Sequence, residues 1–278
     1  MTTAAADTQP TVTPNATPAP REFLGVRAHP VTLRAAVEQC AAAIDTAKPI
    51  SVGVINAAKI VKMVTDDALR QSVLGSDLII ADGQAVVWAS RALGKGLPER
   101  VAGIDLFEAL LAEGNTRKWS VFLFGARQDV LDEVVRRINE KHPDLHVAGA
   151  RNGYFDASEQ GDIADQIKAS GAQLLFVGIT SPKKEIFLDN FGNCTGTLVR
   201  HGVGGSFDVM AGKVTRAPRW MQKMGLEWLH RVFQEPGRMW KRYAVTNTIF
   251  IWMMCRERLQ PGLYAKRAQK RSMQGQWA

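Results

Sequence analysis

The chain has 278 residues, 46% of them apolar and 22% charged, the composition of a globular protein with room for a full core. Its three cysteines, Cys40, Cys194 and Cys255, are far apart, odd in number and unaccompanied by any CxxC or Cys/His cluster. That speaks against a disulfide or zinc framework and for a reducing compartment. The net charge is +8, and from Arg216 onward thirteen Lys and Arg face only three Glu, so the excess lies at the C-terminal end and calls for an anionic partner: a membrane surface, nucleic acid or a phosphorylated ligand.

Residues 1–20, rich in Ala, Thr and Pro, have no apolar core segment and read as a disordered tail, not a secretory signal. Thr32 to Ala47 carries helical apolar spacing, stopped by Pro49. Ile50–Ile55 reads as a buried strand with Asn56 at its end, and 57–64 returns to helix. Leu78–Ala81 is an apolar strand that runs into Asp82-Gly83; a helical segment follows, then the cluster Pro98 to Asp105 and a helix through 106–111. Strands are expected at 119–124, 145–148, 173–179 and 197–201. Helices are expected at 128–142, at 158–170 with Ser158 as N-cap, and from Ser181-Pro182 through Phe191 with proline in the favoured first position. The strands are continuous apolar runs alternating with helices, so 21–212 reads as an α/β domain: a Rossmann-like, mostly parallel sheet with helices on both faces.

From Trp220 the pattern is helical to about Tyr264, interrupted at Pro236 and Pro261, with large apolar side chains among arginines. Residues 213–278 therefore read as a basic, amphipathic helical appendage. The most apolar run, Thr248 to Cys255, is eight residues long, against the ~20 a membrane-spanning helix needs.

Four strand ends carry polar or glycine residues: Asn56, Asp82-Gly83, the 179–185 turn, and Gly202 to Asp208. In an open α/β sheet ligands bind beyond the carboxyl ends of the strands, so these converge on one cleft. Each alone is also ordinary turn chemistry, and Asp82 is either a catalyst or a turn residue. Lys183 and Lys184 at a helix start suit an anion or a solvated turn. The Arg100 fork suits a diphosphate, or a pair with Glu99 or Asp105. Gly202-Val203-Gly204-Gly205 lacks the third glycine of a dinucleotide loop, because Phe207 stands there, and the segment after it is not an obvious helix. There is no D-x-D and no spaced histidine pair; no metal ligand set and no cofactor are expected. His201 at a strand end reads as structural before it reads as a site.

The ordered motifs Asn56-Ala57-Ala58-Lys59, Asp82-Gly83, Glu99 to Asp105, Gly153-Tyr154-Phe155, Pro182-Lys183-Lys184-Glu185, Gly202 to Asp208, Arg216-Ala217-Pro218 and Gly225 to Arg231 resemble the WecG/TagA/CpsF glycosyltransferases over about 30–242. The resemblance implies inverting transfer from a UDP-sugar to a polyprenyl-diphosphate-linked sugar at the inner face of the membrane, by a cytoplasmic enzyme peripheral to it. It makes Asp82 the general base. Asn56, Arg100, Lys184, Gly204 and Asp208 belong to the donor site, and Arg231 and Arg238 reach toward a diphosphate. An anionic membrane surface and a homo-oligomer are further implied partners. Two residues depart from the family pattern: Val54 where many members have Thr, and Lys184 where many have Gln. They point to a plain hexose such as glucose, as in the GumM-like exopolysaccharide branch, over N-acetylmannosamine. The rival readings are a nucleic-acid-binding protein working through the basic segment, for which no recognition motif is present, and an NAD-dependent dehydrogenase.

Overall fold

The computed structural model describes residues 17–275 except Glu235, without the side chains of Lys223, Arg238, Met239, Arg242 and 272–275. Residues 1–16 of the expected tail lie outside the described residues. The chain opens with a hairpin that the hydrophobic pattern does not announce, β1 (Arg21–Phe23) and β2 (Val26–Ala28). Then come α1 (Leu33–Asp45), capped by Thr32 in place of an unpaired first turn, β3 (Ile50–Ile55), α2 (Ala57–Met63), α3 (Asp67–Leu74) and β4 (Leu78–Ala81). The middle of the chain supplies α4 (Gln84–Ala92), α5 (Gly103–Arg117), β5 (Ser120–Gly125), α6 (Gln128–Lys141), β6 (His146–Arg151) and α7 (Gln160–Ala169). A 3-10 turn precedes α7, and its capping box is built by Asp156 and Glu159, so Ser158 is not the cap. β7 (Leu174–Gly178), α8 (Lys183–Phe191) and β8 (Val199–Gly202) complete the sheet, with Pro182 at the N-cap and not the first helical position. The remainder is helical: α9 (Ser206–Met210), α10 (Arg219–Lys223), α11 (Glu227–Gln234), α12 (Pro236–Leu259) and α13 (Leu263–Gly275).

The six strands are all parallel, in the order β4-β3-β8-β7-β5-β6. Both faces are buried, which explains the uninterrupted apolar runs. Leu78 and Ile80 of β4, Val121 and Leu123 of β5, and Leu174 and Phe176 of β7 point into a core under α1, α5, α6 and α9. Their neighbours point the other way, where the core divides. Ile79 and Ala81 join a cluster with the hairpin, α2, α4 and the C-terminal helices. Phe122, Phe124, Leu175 and Val177 join a second cluster with α7 and α8. The C-terminal helices are part of this packing: Phe250, Met253 and Tyr264 are no more than 4% exposed.

The free edge of β4 is closed by the segment after β2. His29 donates its backbone N–H to Ile79 O and accepts Ile79 N–H on Nδ1, both at 2.8 Å. At the other end of the sheet, close approach sets a glycine. A Cβ on Gly178 would lie 2.4 Å from the Phe207 ring, which the chain after β8 folds down against β7. Gly178→Ala is expected to destabilise by about 1–3 kcal/mol as an overpacked site. Urea unfolding checks this, and an unchanged midpoint would mean the ring is free to move aside.

Candidate active site

The cleft forms where the chain leaves β3, β4, β7 and β8, the convergence expected of an open parallel sheet. It is a cavity of about 490 Å³ lined by Asn56, Asp82, Lys184, Gly205, Arg216 and Arg231, among others. Asp82 is fixed there by backbone bonds on both sides. Its own N–H donates to Ile55 O at 2.8 Å, and Val101 N–H donates to Ala81 O at 3.0 Å. Gly83 follows at φ +133°, a conformation open to glycine alone in practice, and turns the chain into α4 so that Asp82 stays on the floor. Asn56 caps α2, its Oδ1 accepting Lys59 N–H at 2.9 Å, so the amide nitrogen is what it has to offer the cleft.

One wall is a buried ion pair. Lys59 Nζ donates to Val54 O at 2.6 Å and to Glu185 Oε1 at 2.8 Å. Lys184 Nζ lies 3.6 Å from the same Glu185 oxygen, and its side chain is 12% exposed. The opposite wall is a four-residue charge network. Arg100 donates to Glu227 and, at 3.3 Å, to Asp105; Arg216 meets Asp105 Oδ1 at 2.6 Å and Glu227 Oε1 at 3.9 Å. This network fastens α11 to the start of α5. The turn at 202–205 is pinned to β7, with Val203 and Gly204 N–H both donating to Val177 O, at 2.9 and 3.2 Å.

Burial raises the Asp82 carboxyl above its ordinary value, against the opposing pull of Arg100, Arg231, Lys59 and Lys184. Burial also lowers the Lys184 ammonium, to about 8, with Lys59 adding to the effect and Glu185 and Asp82 opposing it. Glu227 is raised by burial as well, in spite of Arg100. The result is a carboxylate of raised pKa set among cations on the floor of the cleft.

The glycosyl transferase WecG/TagA/CpsF family model matches residues 21–263. The chain belongs to the WecG/TagA/CpsF family. As a member it is a glycosyltransferase, which decides against the dehydrogenase and nucleic-acid readings. It is similar to the N-acetylglucosaminyldiphosphoundecaprenol N-acetyl-beta-D-mannosaminyltransferase of Bacillus subtilis (strain 168), 36% identical over 69% of this chain and 73% of the relative. It is 38% identical to the enzyme of the same name from Bacillus spizizenii (strain ATCC 23059 / NRRL B-14472 / W23), over 62% of this chain and 66% of that one.

Of the residues singled out in this glycosyltransferase from sequence, the structure brings Asn56, Asp82, Lys184 and Arg231 to the cleft surface. Gly204 sits beside Lys184, its would-be Cβ 3.2 Å from Nζ. Arg100 stands behind the surface, paired with Asp105 as one sequence reading had it and with Glu227 instead of Glu99, which caps α1 through Leu33 N–H at 2.7 Å. Asp208 lies on α9, a helix the sequence did not announce, within electrostatic reach of Arg127. The side chain of Arg238 is outside the described residues. Lys183 is exposed and solvated. His201 is structural: fully buried, its Nε2 is 3.0 Å from Gly103 O. Sequence reasoning gave no role to Lys59, Glu185, Arg216 or Glu227. For the first two a signal existed, a charge inside the buried stripe of an apolar helix.

The charge network yields a prediction. Arg100→Ala leaves two half-buried carboxylates sharing Arg216, and is expected to cost about 1–3 kcal/mol. Limited proteolysis should then cut faster between 213 and 226. Wild-type resistance to cleavage would show that apolar packing alone holds α11.

Proposed function

We propose that this enzyme transfers a sugar from a UDP-sugar to a sugar carried on a polyprenyl diphosphate, with inversion, using Asp82 as general base. The observation that carries the reading is the half-buried Asp82 carboxylate on the cleft floor, raised in basicity and surrounded by cations, in a chain of this family. An acceptor hydroxyl must lose its proton as its oxygen bonds to the anomeric carbon. A carboxylate of raised pKa is better matched to that task than an ordinary one. Asn56 and the basic residues supply donors for the phosphates, Gly204, whose N–H is taken by Val177 O, leaves room for Lys184 beside it, and Asp208 keeps a donor-site role on the family resemblance alone. Arg231 from α11 extends the positive wall toward the acceptor diphosphate, and Arg238 is assigned to the same diphosphate by the family resemblance alone.

The relatives are named for N-acetylmannosaminyl transfer to N-acetylglucosaminyldiphosphoundecaprenol. For this chain we favour a plain hexose donor such as UDP-glucose. Val54 lines the cleft with methyl groups where many members of the family carry a threonine hydroxyl, so one hydrogen bond for an acetamido group is missing. Mass analysis of the product from a panel of UDP-sugars checks this; N-acetylhexosaminyl product alone would overturn it.

Residues 213–278 are proposed as the membrane-associating segment. No helix among the described residues is long and apolar enough to cross a membrane. The outward face of α12 nonetheless carries Trp240, Ile251 and Trp252, each more than half exposed, next to basic residues. Each Lys or Arg near an anionic leaflet contributes about 1 kcal/mol, and Trp suits the headgroup level.

Two predictions follow from these readings. Asp82→Asn is expected to keep UDP-sugar binding and to lose about 10²–10⁴-fold in kcat. Since the base works deprotonated, the wild-type rate should fall as pH drops through the raised Asp82 pKa, so the acid limb sits above the ordinary carboxylate value. Near wild-type turnover in the variant would refute the role. For the membrane, deletion of the segment is a poor test, because it would remove Phe250, Met253 and Tyr264 from the core. The double variant Trp240→Ser with Ile251→Ser spares the core. It should release the protein from anionic vesicles at an unaltered melting temperature, and undiminished cosedimentation would count against the surface.

A further inference from the structure

Lys59 and Lys184 approach a single carboxylate oxygen, Glu185 Oε1, from two helices. They are not equivalent. Lys59 Nζ makes two short bonds, to that oxygen and to Val54 O. Lys184 Nζ has only the 3.6 Å approach, beyond hydrogen-bond length, although its side chain is 12% exposed. Its remaining donors are therefore turned to the cleft that the side chain lines. The glycine turn accommodates it: a Cβ at Gly202 would stand 3.2 Å from Lys184 Cδ, and one at Gly204 3.2 Å from Nζ. The ammonium is thereby laid against the Gly204 backbone at the surface of the Asp82 cleft. Glu185 Oε2, also buried, has no partner. Two cations and one carboxylate leave an excess positive charge at this wall, opposite the carboxylate of Asp82.

We propose that Lys184 is a catalytic residue of this enzyme, its ammonium donating to the phosphate oxygen that leaves the anomeric carbon, with Glu185 and Lys59 as positioning residues that hold it at the cleft. The inference rests on the transfer from a UDP-sugar proposed above. In that step the acceptor oxygen bonds to the anomeric carbon while the bond from that carbon to the β-phosphate oxygen breaks. The bonding pair stays on the phosphate, and the acceptor proton goes to Asp82. UDP thus gains a negative charge at one oxygen, and Lys184, whose carboxylate partner is 3.6 Å away, is a cation at the cleft surface able to meet it. An interaction that strengthens only as that charge develops raises kcat more than it tightens substrate binding.

The groups that shift the Lys184 titration are Lys59 on α2, Asp82 after β4 and Glu185 on α8, with His201 on β8 nearby and Arg231 on α11 acting on Asp82. Burial and Lys59 bring its pKa to about 8, with Glu185 and Asp82 holding it from falling further. A cationic catalyst is lost as pH rises through that value. kcat/KM of the full-length enzyme, assayed on vesicles containing the polyprenyl-diphosphate acceptor with a UDP-sugar, should therefore show an alkaline limb near pH 8.

Lys184→Gln should lower kcat about 100-fold, with a smaller change in donor KM, and abolish the limb. Lys184→Arg, charged to above about pH 12, should retain most of kcat and also lose the limb. Glu185→Gln removes a charge that raises the lysine pKa, so its limb should move to lower pH. A merely structural lysine predicts none of these profile changes, and a wild-type kcat or an unaltered limb in Lys184→Gln overturns the proposal. If Lys184→Gln does not fold, the Lys184→Arg profile decides: an alkaline limb unchanged from wild type overturns it. Wild-type protein that transfers no sugar from any UDP-sugar would remove the functional reading and this inference together. Transfer that survives Lys184→Gln intact removes this inference alone.

Discussion

The Lys59–Glu185 pair is the contact on which the geometry of the cleft depends. On one face of the sheet the apolar packing is split, one cluster under the hairpin and α2, the other under α7 and α8. Lys59 belongs to α2 and Glu185 to α8, so their 2.8 Å bond ties the two halves across the seam. Its net contribution to stability is modest, because taking two charges out of water offsets most of their attraction. Its geometric effect is larger. A buried lysine with directed bonds to Val54 O and Glu185 fixes the start of α2 relative to the start of α8. Those two helix starts carry Asn56 and Lys184. Replacing the pair by apolar residues would keep the seam closed while leaving the register of α8 free to shift.

That constraint accounts for the electrostatics on the other side. A carboxylate among four cations would ordinarily have a depressed pKa. Asp82 instead comes out raised, so the loss of water outweighs Arg100, Arg231, Lys59 and Lys184 together. The reason lies in how those cations are engaged. Arg100 is committed to Asp105 and Glu227, and Lys59 to Glu185, so their charges are largely balanced before they reach Asp82. The two walls therefore neutralise themselves, and the floor keeps a carboxylate able to accept a proton. Lys184 and Arg231 are the exceptions, and of the two Lys184 is the more buried.

The sheet was legible because burial on both faces writes itself into the sequence as apolar runs. Ile50–Ile55 and Leu78–Ala81 emerge in the structure with the bounds read from sequence. What escaped is short or polar. β1 and β2 have three residues each, too few for a period, and α3 (DALRQSVL) is only two turns long, too short to stand out without its Asp66 cap. Asp82 was legible as an acid at a strand end, but not its basicity, which comes from helices that close over it. The ion pairs were out of reach for a different reason. Lys59 and Glu185 are 126 positions apart, and Arg100 and Glu227 are 127, so no local pattern links them.

The C-terminal helices make the same point about separable parts. Read along the chain, 213–278 is a basic amphipathic addition to an α/β body. In three dimensions α12 packs on α2, sends Phe250 and Met253 into the core and lines the active-site cleft with Thr246. Its outward face carries Trp240, Ile251 and Trp252, with Arg256 lying 4.6 Å over the Trp252 ring. A helix that is core on one side and exposed apolar surface on the other cannot move without moving the cleft wall. On the proposed membrane reading this has a direct consequence. The depth and tilt at which α12 seats in the headgroup layer also set where Asp82 stands relative to a lipid-held acceptor, so docking and acceptor positioning are one geometric event.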